Sequence, residues 1–397
     1  MTVAKRSIKD LDLANKRVFI RVDFNVPIRN GQVGDDTRIR ASLPTLRCAL
    51  KHGATLVLAS HLGRPKGKRR PELSLEPIAN HLAALLGQPV QFAEDCVGGS
   101  ARAAVPAAGP GGIVLLENLR FHGEEEANDP AFAKALAELA DVYVNDAFGA
   151  AHRAHASTVG IVAHVPEAAA GLLMVSELEN LGALLSRPER PFVAVLGGAK
   201  VSGKLEVLEN LLERVDTLLV GGAMAYTFFT ARGFPTGHSL LEPNLVEAAR
   251  EVERKAQELG VRLQLPTDHV VAARLEAGTP HETLAVADAT IGDRLGVDIG
   301  PATRATFAEV IHRAQTVVWN GPMGVFEINE FAAGTLAVAR AVAETDATTV
   351  IGGGDSISAV AKAGMSDRIT HISTGGGTSL EFLGGRTLPA VAALPNQ

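Results

Sequence analysis

Phe192-Val-Ala-Val-Leu196-Gly-Gly-Ala-Lys200-Val-Ser-Gly-Lys204-Leu-Glu-Val-Leu-Glu-Asn-Leu-Leu-Glu-Arg214 decides the fold. Five consecutive apolar residues read as a strand buried on both faces. The glycines read as a turn, and the leucine spacing from Lys204 to Arg214 reads as a helix. The same unit recurs in both directions along the chain. Strands are predicted at 18–22, 55–59, 112–116, 142–145, 217–220, 261–265, 316–319, 348–351 and 369–372. Helices are predicted at 38–52, 76–86, 130–139, 244–259 and 331–344. Strands alternating with helices form parallel sheets covered on both faces, an α/β architecture.

A chain of 397 residues exceeds one ordinary core and predicts about two domains. The junction is read at 167–191. There Gly171 to Leu185 has apolar residues at helical spacing and ends before Arg187-Pro188, which predicts a connecting helix. Hydrophobic residues make up 46% and aromatics only 4%, which disfavours the stacking surfaces of nucleic-acid binders. Residues 1–70 hold 16 Lys and Arg against 5 Asp and Glu, inside a chain of net charge −6. These arginines stand singly behind apolar strands, a pattern suited to small anions; the run Lys66 to Arg70 reads as a solvated loop. Cys48 and Cys96 have neither metal spacing nor disulfide density, and each reads as a small buried hydrophobe in a reducing compartment. No signal-peptide pattern and no membrane-length apolar run is found, so a cytoplasmic protein is expected.

The polar chemistry lies just past the predicted strand ends, where open sheets bind ligands. Gly198 to Leu205 nearly fits the P-loop pattern, but Leu205 offers no hydroxyl to magnesium, which disfavours a P-loop NTPase. The physical reading survives: glycines admit phosphate to backbone amides, and Lys200 and Lys204 neutralise charge. Gly352-Gly-Gly-Asp355-Ser356 opens another helix, where Asp355 can be an N-cap or a Mg²⁺ ligand. Thr374-Gly-Gly-Gly377 offers amides for a phosphoryl group charged on its equatorial oxygens. In the first 155 residues, Arg21, Arg38, Arg64, Arg120 and Arg153 stand in islands with Asp23, Asn25 and His61. Any one arginine is as readily a structural ion pair; together they suit a small molecule with a phosphate and a carboxylate. Zinc spacing is absent from His61, His152 and His155. Two anionic ligands held in separate halves point to phosphoryl transfer.

Together the islands resemble phosphoglycerate kinase, in family order along nearly the whole chain. They run from Arg21-Val-Asp-Phe-Asn-Val-Pro27, Asp35-Asp-Thr-Arg-Ile-Arg40, Ser60-His-Leu-Gly-Arg-Pro-Lys-Gly67 and Leu116-Glu-Asn-Leu-Arg-Phe121 to Val144-Asn-Asp-Ala-Phe-Gly149 and Ala151 to Ser157. They continue through Gly197-Gly-Ala-Lys-Val201, Gly221-Gly-Ala-Met224, Asp298-Ile-Gly-Pro301, Trp319 to Glu327, Gly352 to Asp355 and Ser373 to Gly377.

The resemblance implies two Rossmann-like lobes joined by a hinge helix. Residues 1–170, with the returning tail 386–397, would bind 3-phosphoglycerate; 171–187 would connect; 188–385 would bind nucleotide. It implies Mg²⁺-dependent exchange of ATP and 3-phosphoglycerate for ADP and 1,3-bisphosphoglycerate, by direct in-line transfer after hinge closure, in a monomer that binds neither nucleic acid nor membrane. By position, Asp23, Asn25, Arg38, His61, Arg64, Arg120 and Arg153 would hold the acid. Arg38, Lys200, Gly375 and Gly376 would face the moving phosphoryl group. Lys204, Gly353, Gly354, Asp355 and Ser356 would meet the nucleotide phosphates, with Asp355 on the metal. Glu327 would bind the ribose and Gly296 would lie by the adenine. Leu336 departs from the family's common lysine on a helix surface. Two alternatives stay in view: a non-catalytic scaffold on the same fold, and a nicotinamide-dependent dehydrogenase, which lacks its glycine fingerprint here.

Overall fold

A computed structural model describes residues 4–397, so the start of the expected 1–170 segment, Met1 to Val3, lies outside the described residues. The chain divides into two compact units, Met1–Glu179 with Thr387–Gln397, and Asn180–Arg386. The connecting helix is Leu172–Ser186, and the division falls inside it, between Glu179 and Asn180, whereas the sequence reading placed the whole helix between lobes.

The first unit is built on strands β1 (Arg17–Arg21), β4 (Thr55–Ala59), β5 (Gln91–Ala93), β6 (Ile113–Leu116), β7 (Val142–Asn145) and β8 (Ala168–Ala170). A two-strand hairpin, β2 (Ile28–Arg29) with β3 (Gln32–Val33), stands apart from that sheet. The sheet order is β5-β6-β4-β1-β7-β8, and every neighbouring pair is parallel. Every residue of β4 is buried, as its unbroken apolar run requires of a central strand. Val18, Ile20, Leu56, Leu58, Ile113, Leu115, Val142 and Val144 form one core with Ile39, Leu43 and Leu46 from helix Thr37–Lys51 and with Ile78 and Leu82 from helix Glu76–Leu86. The tail joins this unit through Arg6 N–H to Pro395 O, Gln397 N–H to Ala4 O and Ala390 N–H to Ala151 O.

The second unit holds β9 (Phe192–Leu196), β10 (Thr217–Val220), β11 (Arg262–Gln264), β15 (Thr316–Asn320), β16 (Thr348–Gly352) and β17 (His371–Ile372). They form a parallel sheet in the order β11-β10-β9-β15-β16-β17. Val193, Val195, Trp319 and Ile351 pack on Phe307, Ile311 and Val342. An antiparallel sheet escaped the sequence reading: β12 (Asp268–Ala272) between β13 (His281–Ala285) and β14 (Leu295–Ile299). Its β13 is mostly exposed and polar, so it lacked the apolar run used to recognise strands. Leu336 is half-buried against the core of this unit, which corrects the expected surface position.

Candidate active site

At the strand ends of the first unit, side chains from several loops join in one network. Arg38, from the first turn of its helix, donates from Nη1 to Asp23 Oδ2 at 3.1 Å and to Asn25 O at 3.4 Å. Asn25 Oδ1 accepts the Gly63 N–H at 3.0 Å, and Gly63 O accepts from Arg120 Nη1 at 2.9 Å. Asp23, His61 and Arg120 are nearly buried, Arg38 and Arg153 are half-buried, and Arg64 is exposed. Burial pulls the Arg120 guanidinium down to about 10, with Arg21 and Arg153 adding repulsion. Burial, then Arg21, Arg120 and Arg38, hold His61 well below the ordinary imidazole range, so it is neutral near pH 7.

Arg21 corrects its grouping with the anion-facing arginines. It is fully buried and points into the protein, donating Nε to Ser157 Oγ at 2.8 Å and Nη1 to Val22 O at 2.5 Å, with Nη2 3.2 Å from His61 Nδ1. Ser157 in turn donates N–H at 2.9 Å and Oγ–H at 2.6 Å to the fully buried Glu125. The sequence reading gave neither Glu125 nor Ser157 a role. Glu125 is the buried member of the short acidic helix Gly123–Glu126, and nothing local in the sequence distinguishes it from Glu124 and Glu126. Asp95, Cys96 and His122 offer ligand atoms within 4.8 Å of one another, a grouping that cysteine spacing did not suggest. Asp95 Oδ1 and His122 Nε2 already hydrogen-bond at 2.7 Å.

In the second unit, three glycine turns meet around Lys204. Its Nζ donates to Gly197 O and, at 3.0 Å, to Asn320 O. Gly321 has φ +95°, and a Cβ there would stand 2.3 Å from Gly197 O and 2.5 Å from Lys204 Nζ, so only glycine fits. Burial lowers Lys204 to about 8, partly opposed by Asp355. A cleft of about 230 Å³ is lined by Lys200, Lys204, Gly198, Asn320, Gly353 and Asp355. Lys200 and Asp355 are exposed, Asp355 in the first turn of helix Gly354–Lys362. A second cavity of about 400 Å³ is lined by Gly296, Glu327, Asp355, Tyr226, His269 and further apolar residues. Two expectations change in detail. Ser356 is buried and its Oγ accepts the Gly321 N–H at 2.6 Å, bracing that turn. The Gly375 amide is not free, since it donates to Ser373 Oγ at 3.2 Å; Gly376 precedes helix Gly377–Leu383 with φ +54°. The predicted helix start at Lys204 moves to Leu205, with Lys204 at the cap.

Two α/β units, each built on a parallel sheet, one with a cluster of arginines and one with a glycine-framed, lysine-bearing cleft, define a small-molecule phosphotransferase class. A family model described as phosphoglycerate kinase matches residues 8–386. Phosphoglycerate kinases of Moorella thermoacetica and Solibacter usitatus are 57% and 58% identical, with 99% and 98% of both chains covered. The structure of phosphoglycerate kinase from Coxiella burnetii superposes with TM-score 0.87 at 42% identity, and that from Pyrococcus horikoshii OT3 with 0.86 at 36%; each comparison covers 98% of both chains. The chain belongs to the phosphoglycerate kinase family, and its activity is phosphoryl transfer with a carboxyl group as acceptor. Among the described residues no helix is long and apolar enough to cross a membrane.

Proposed function

We propose that the first unit binds 3-phosphoglycerate and the second binds the nucleotide, with transfer between ATP and the carboxylate of the acid. The supporting observation is the linkage of Arg38, Asp23, Asn25, Gly63 and Arg120 by hydrogen bonds at the strand ends. Pre-oriented guanidinium groups bind phosphate and carboxylate bidentately. Arg38, His61, Arg64, Arg120 and Arg153 supply the donors, while Asp23 and Asn25 hold Arg38 and receive the hydroxyl of the acid.

On the nucleotide side, Glu327 binds the ribose, Gly296 lies beside the base, and Lys204 with Gly353 and Gly354 meets the phosphates. Asp355 suits Mg²⁺: it is an exposed carboxylate lining both cavities beside Lys204, and hard cations prefer such oxygen ligands. When bound, the ion would neutralise charge on the phosphate oxygens. Lys200 and Arg38, aided by the Gly376 turn, balance the equatorial charge that grows as the phosphoryl group moves. Closure about the connecting helix is the proposed step that lets acceptor and donor meet and excludes water. The proposed working form is a cytoplasmic monomer.

The test is a coupled assay in which purified protein, 3-phosphoglycerate and MgATP are supplied with glyceraldehyde-3-phosphate dehydrogenase and NADH. NADH loss that needs all three components is expected. Binding of both ligands without turnover would instead favour a scaffold.

A further inference from the structure

Behind the arginine cluster of the first unit, a buried polar chain runs from the short acidic helix to His61. Glu125 Oε1 accepts the Ser157 Oγ–H at 2.6 Å, and Arg21 Nε donates to the same Oγ at 2.8 Å. Arg21 Nη2 then reaches His61 Nδ1 at 3.2 Å. Glu125, Ser157 and Arg21 are fully buried. The Ser157 backbone is fixed independently of this chain. Its N–H donates to Glu125 Oε2 at 2.9 Å, its carbonyl accepts from Tyr143 Oη at 2.8 Å, and the preceding Ala156 N–H donates to Glu125 O at 3.0 Å.

The direction of every link follows from the guanidinium, which can only donate. Ser157 Oγ accepts from Arg21, so its own proton goes to Glu125. Both Glu125 oxygens then accept, which an ionised carboxylate satisfies and a protonated one does not. Burial raises the Glu125 carboxyl, opposed first by the charge of Arg21 and then by the Ser157 bonds. Each Arg21 nitrogen has a separate partner, Nη1 being tied to Val22 O at 2.5 Å, so the guanidinium plane is held from three sides. Without the Ser157 link it is free to turn away from His61. With that link in place His61 Nδ1 is an acceptor and the ring proton sits on Nε2. Nε2 is the ring nitrogen left for a ligand, and it is not one of the buried side-chain atoms without a partner.

We infer that Glu125 is a positioning residue for acid binding: through Ser157 and Arg21 it holds His61 with its Nε2–H presented to the acid. The inference rests on the reading of His61 as a ligand of 3-phosphoglycerate. Two glutamates of one helical turn thus serve the cluster differently. Glu126 is exposed and stands 3.6 Å from Arg120 Nε, whereas Glu125 is sealed inside and acts through a hydroxyl and a guanidinium.

The experiment follows the His61 ring nitrogens by ¹⁵N NMR in the full chain, with and without 3-phosphoglycerate, and measures steady-state constants in parallel. It uses wild type, Ser157→Ala and Glu125→Gln. Ser157→Ala keeps the backbone bonds of residue 157 and removes only the hydroxyl. Glu125→Gln leaves one accepting oxygen for two Ser157 donors and removes the charge facing Arg21. Wild type is expected to show the Nε2–H form alone, with its signal moving when 3-phosphoglycerate is added. Both variants should show the ¹⁵N shifts of a tautomer mixture. Their KM for 3-phosphoglycerate should rise roughly tenfold, with the KM for MgATP unchanged. If saturating 3-phosphoglycerate leaves the wild-type His61 signal unmoved, His61 is not an acid ligand, and that reading falls together with the inference. If the signal moves but the variants keep the single tautomer, the acid-site reading stands and the positioning role of Glu125 is overturned, whatever happens to KM.

Discussion

Arg21 holds His61 in one tautomer: its Nη2 lies 3.2 Å from His61 Nδ1 inside the first unit. A guanidinium is always protonated and can only donate, so Nδ1 keeps its lone pair and the ring proton sits on Nε2. His61 therefore enters the acid site as a neutral donor. The expected outcome is an Nε2–H imidazole signal by ¹⁵N NMR that persists from pH 8 to pH 5. Titration near the ordinary 6.5 would contradict this. The linkage sign follows: the unfolded chain protonates His61 below about 6.5 and the folded one does not, so this group withdraws stability as pH falls below that value.

Lys200 is exposed at the smaller cleft, so its loss should leave folding intact. Lys200→Ala is expected to lower kcat about 10²–10³-fold, a typical cost of removing one transition-state donor, with little change in nucleotide affinity. Equal losses in kcat and in ADP binding would remove it from the transition state.

Lys204 titrates in the free protein near pH 8. It is charged below that pH and neutral above it, so phosphate binding should weaken as pH rises through 8. The log of ADP affinity should then fall with slope approaching −1 between pH 8 and 9.5. Lys204→Arg, charged throughout, should flatten the profile, whereas a flat wild-type profile would show that Lys204 does not meet the phosphates.

Gly321→Ala forces a Cβ against Gly197 O and Lys204 Nζ at a positive φ. The expected cost is about 1–3 kcal/mol in unfolding free energy, with weakened ADP binding, because the turn around Lys204 must open. Unchanged melting and binding would mean that the turn is pliable.

Asp146 caps the connecting helix, its Oδ1 accepting the N–H groups of Leu173 at 3.0 Å and Met174 at 3.3 Å. Burial raises it from 3.8 to about 7. Between those values the folded chain binds the extra proton, so stability falls as pH rises toward 7 and is flat above it. Asp146→Asn keeps an accepting oxygen and removes the titration. Urea unfolding should show wild type losing about 1.4 kcal/mol per pH unit relative to the variant across this window. A constant difference would show an unperturbed carboxyl.

The central strands were legible because their chemistry is local. Thr55–Ala59, Val142–Asn145, Phe192–Leu196 and Thr217–Val220 are short, unbroken runs rich in apolar residues and appear with the predicted bounds. Helix Glu76–Leu86 was equally plain, with Pro77 near its start and Gly87 in a left-handed cap at its end. The edge of the second unit was not legible. Strand His281–Ala285 is polar and exposed, and is held as a strand only by pairing with Asp268–Ala272. The placement of Ser157 and Glu125 was hidden for the same reason, since each depends on a partner 32 residues or more away in sequence.

By itself the sequence determined two alternating α/β halves and the loops that carry the chemistry, because apolar periodicity and glycine turns act over a few residues. Only the tertiary structure decided which polar groups face a ligand and which face the protein. Arg21 and Arg38 look alike in the sequence, yet Arg21 is buried behind His61 while Arg38 is half-exposed beside Asp23. The direction of a side chain, and the proton it holds, are set by what the rest of the chain packs against it.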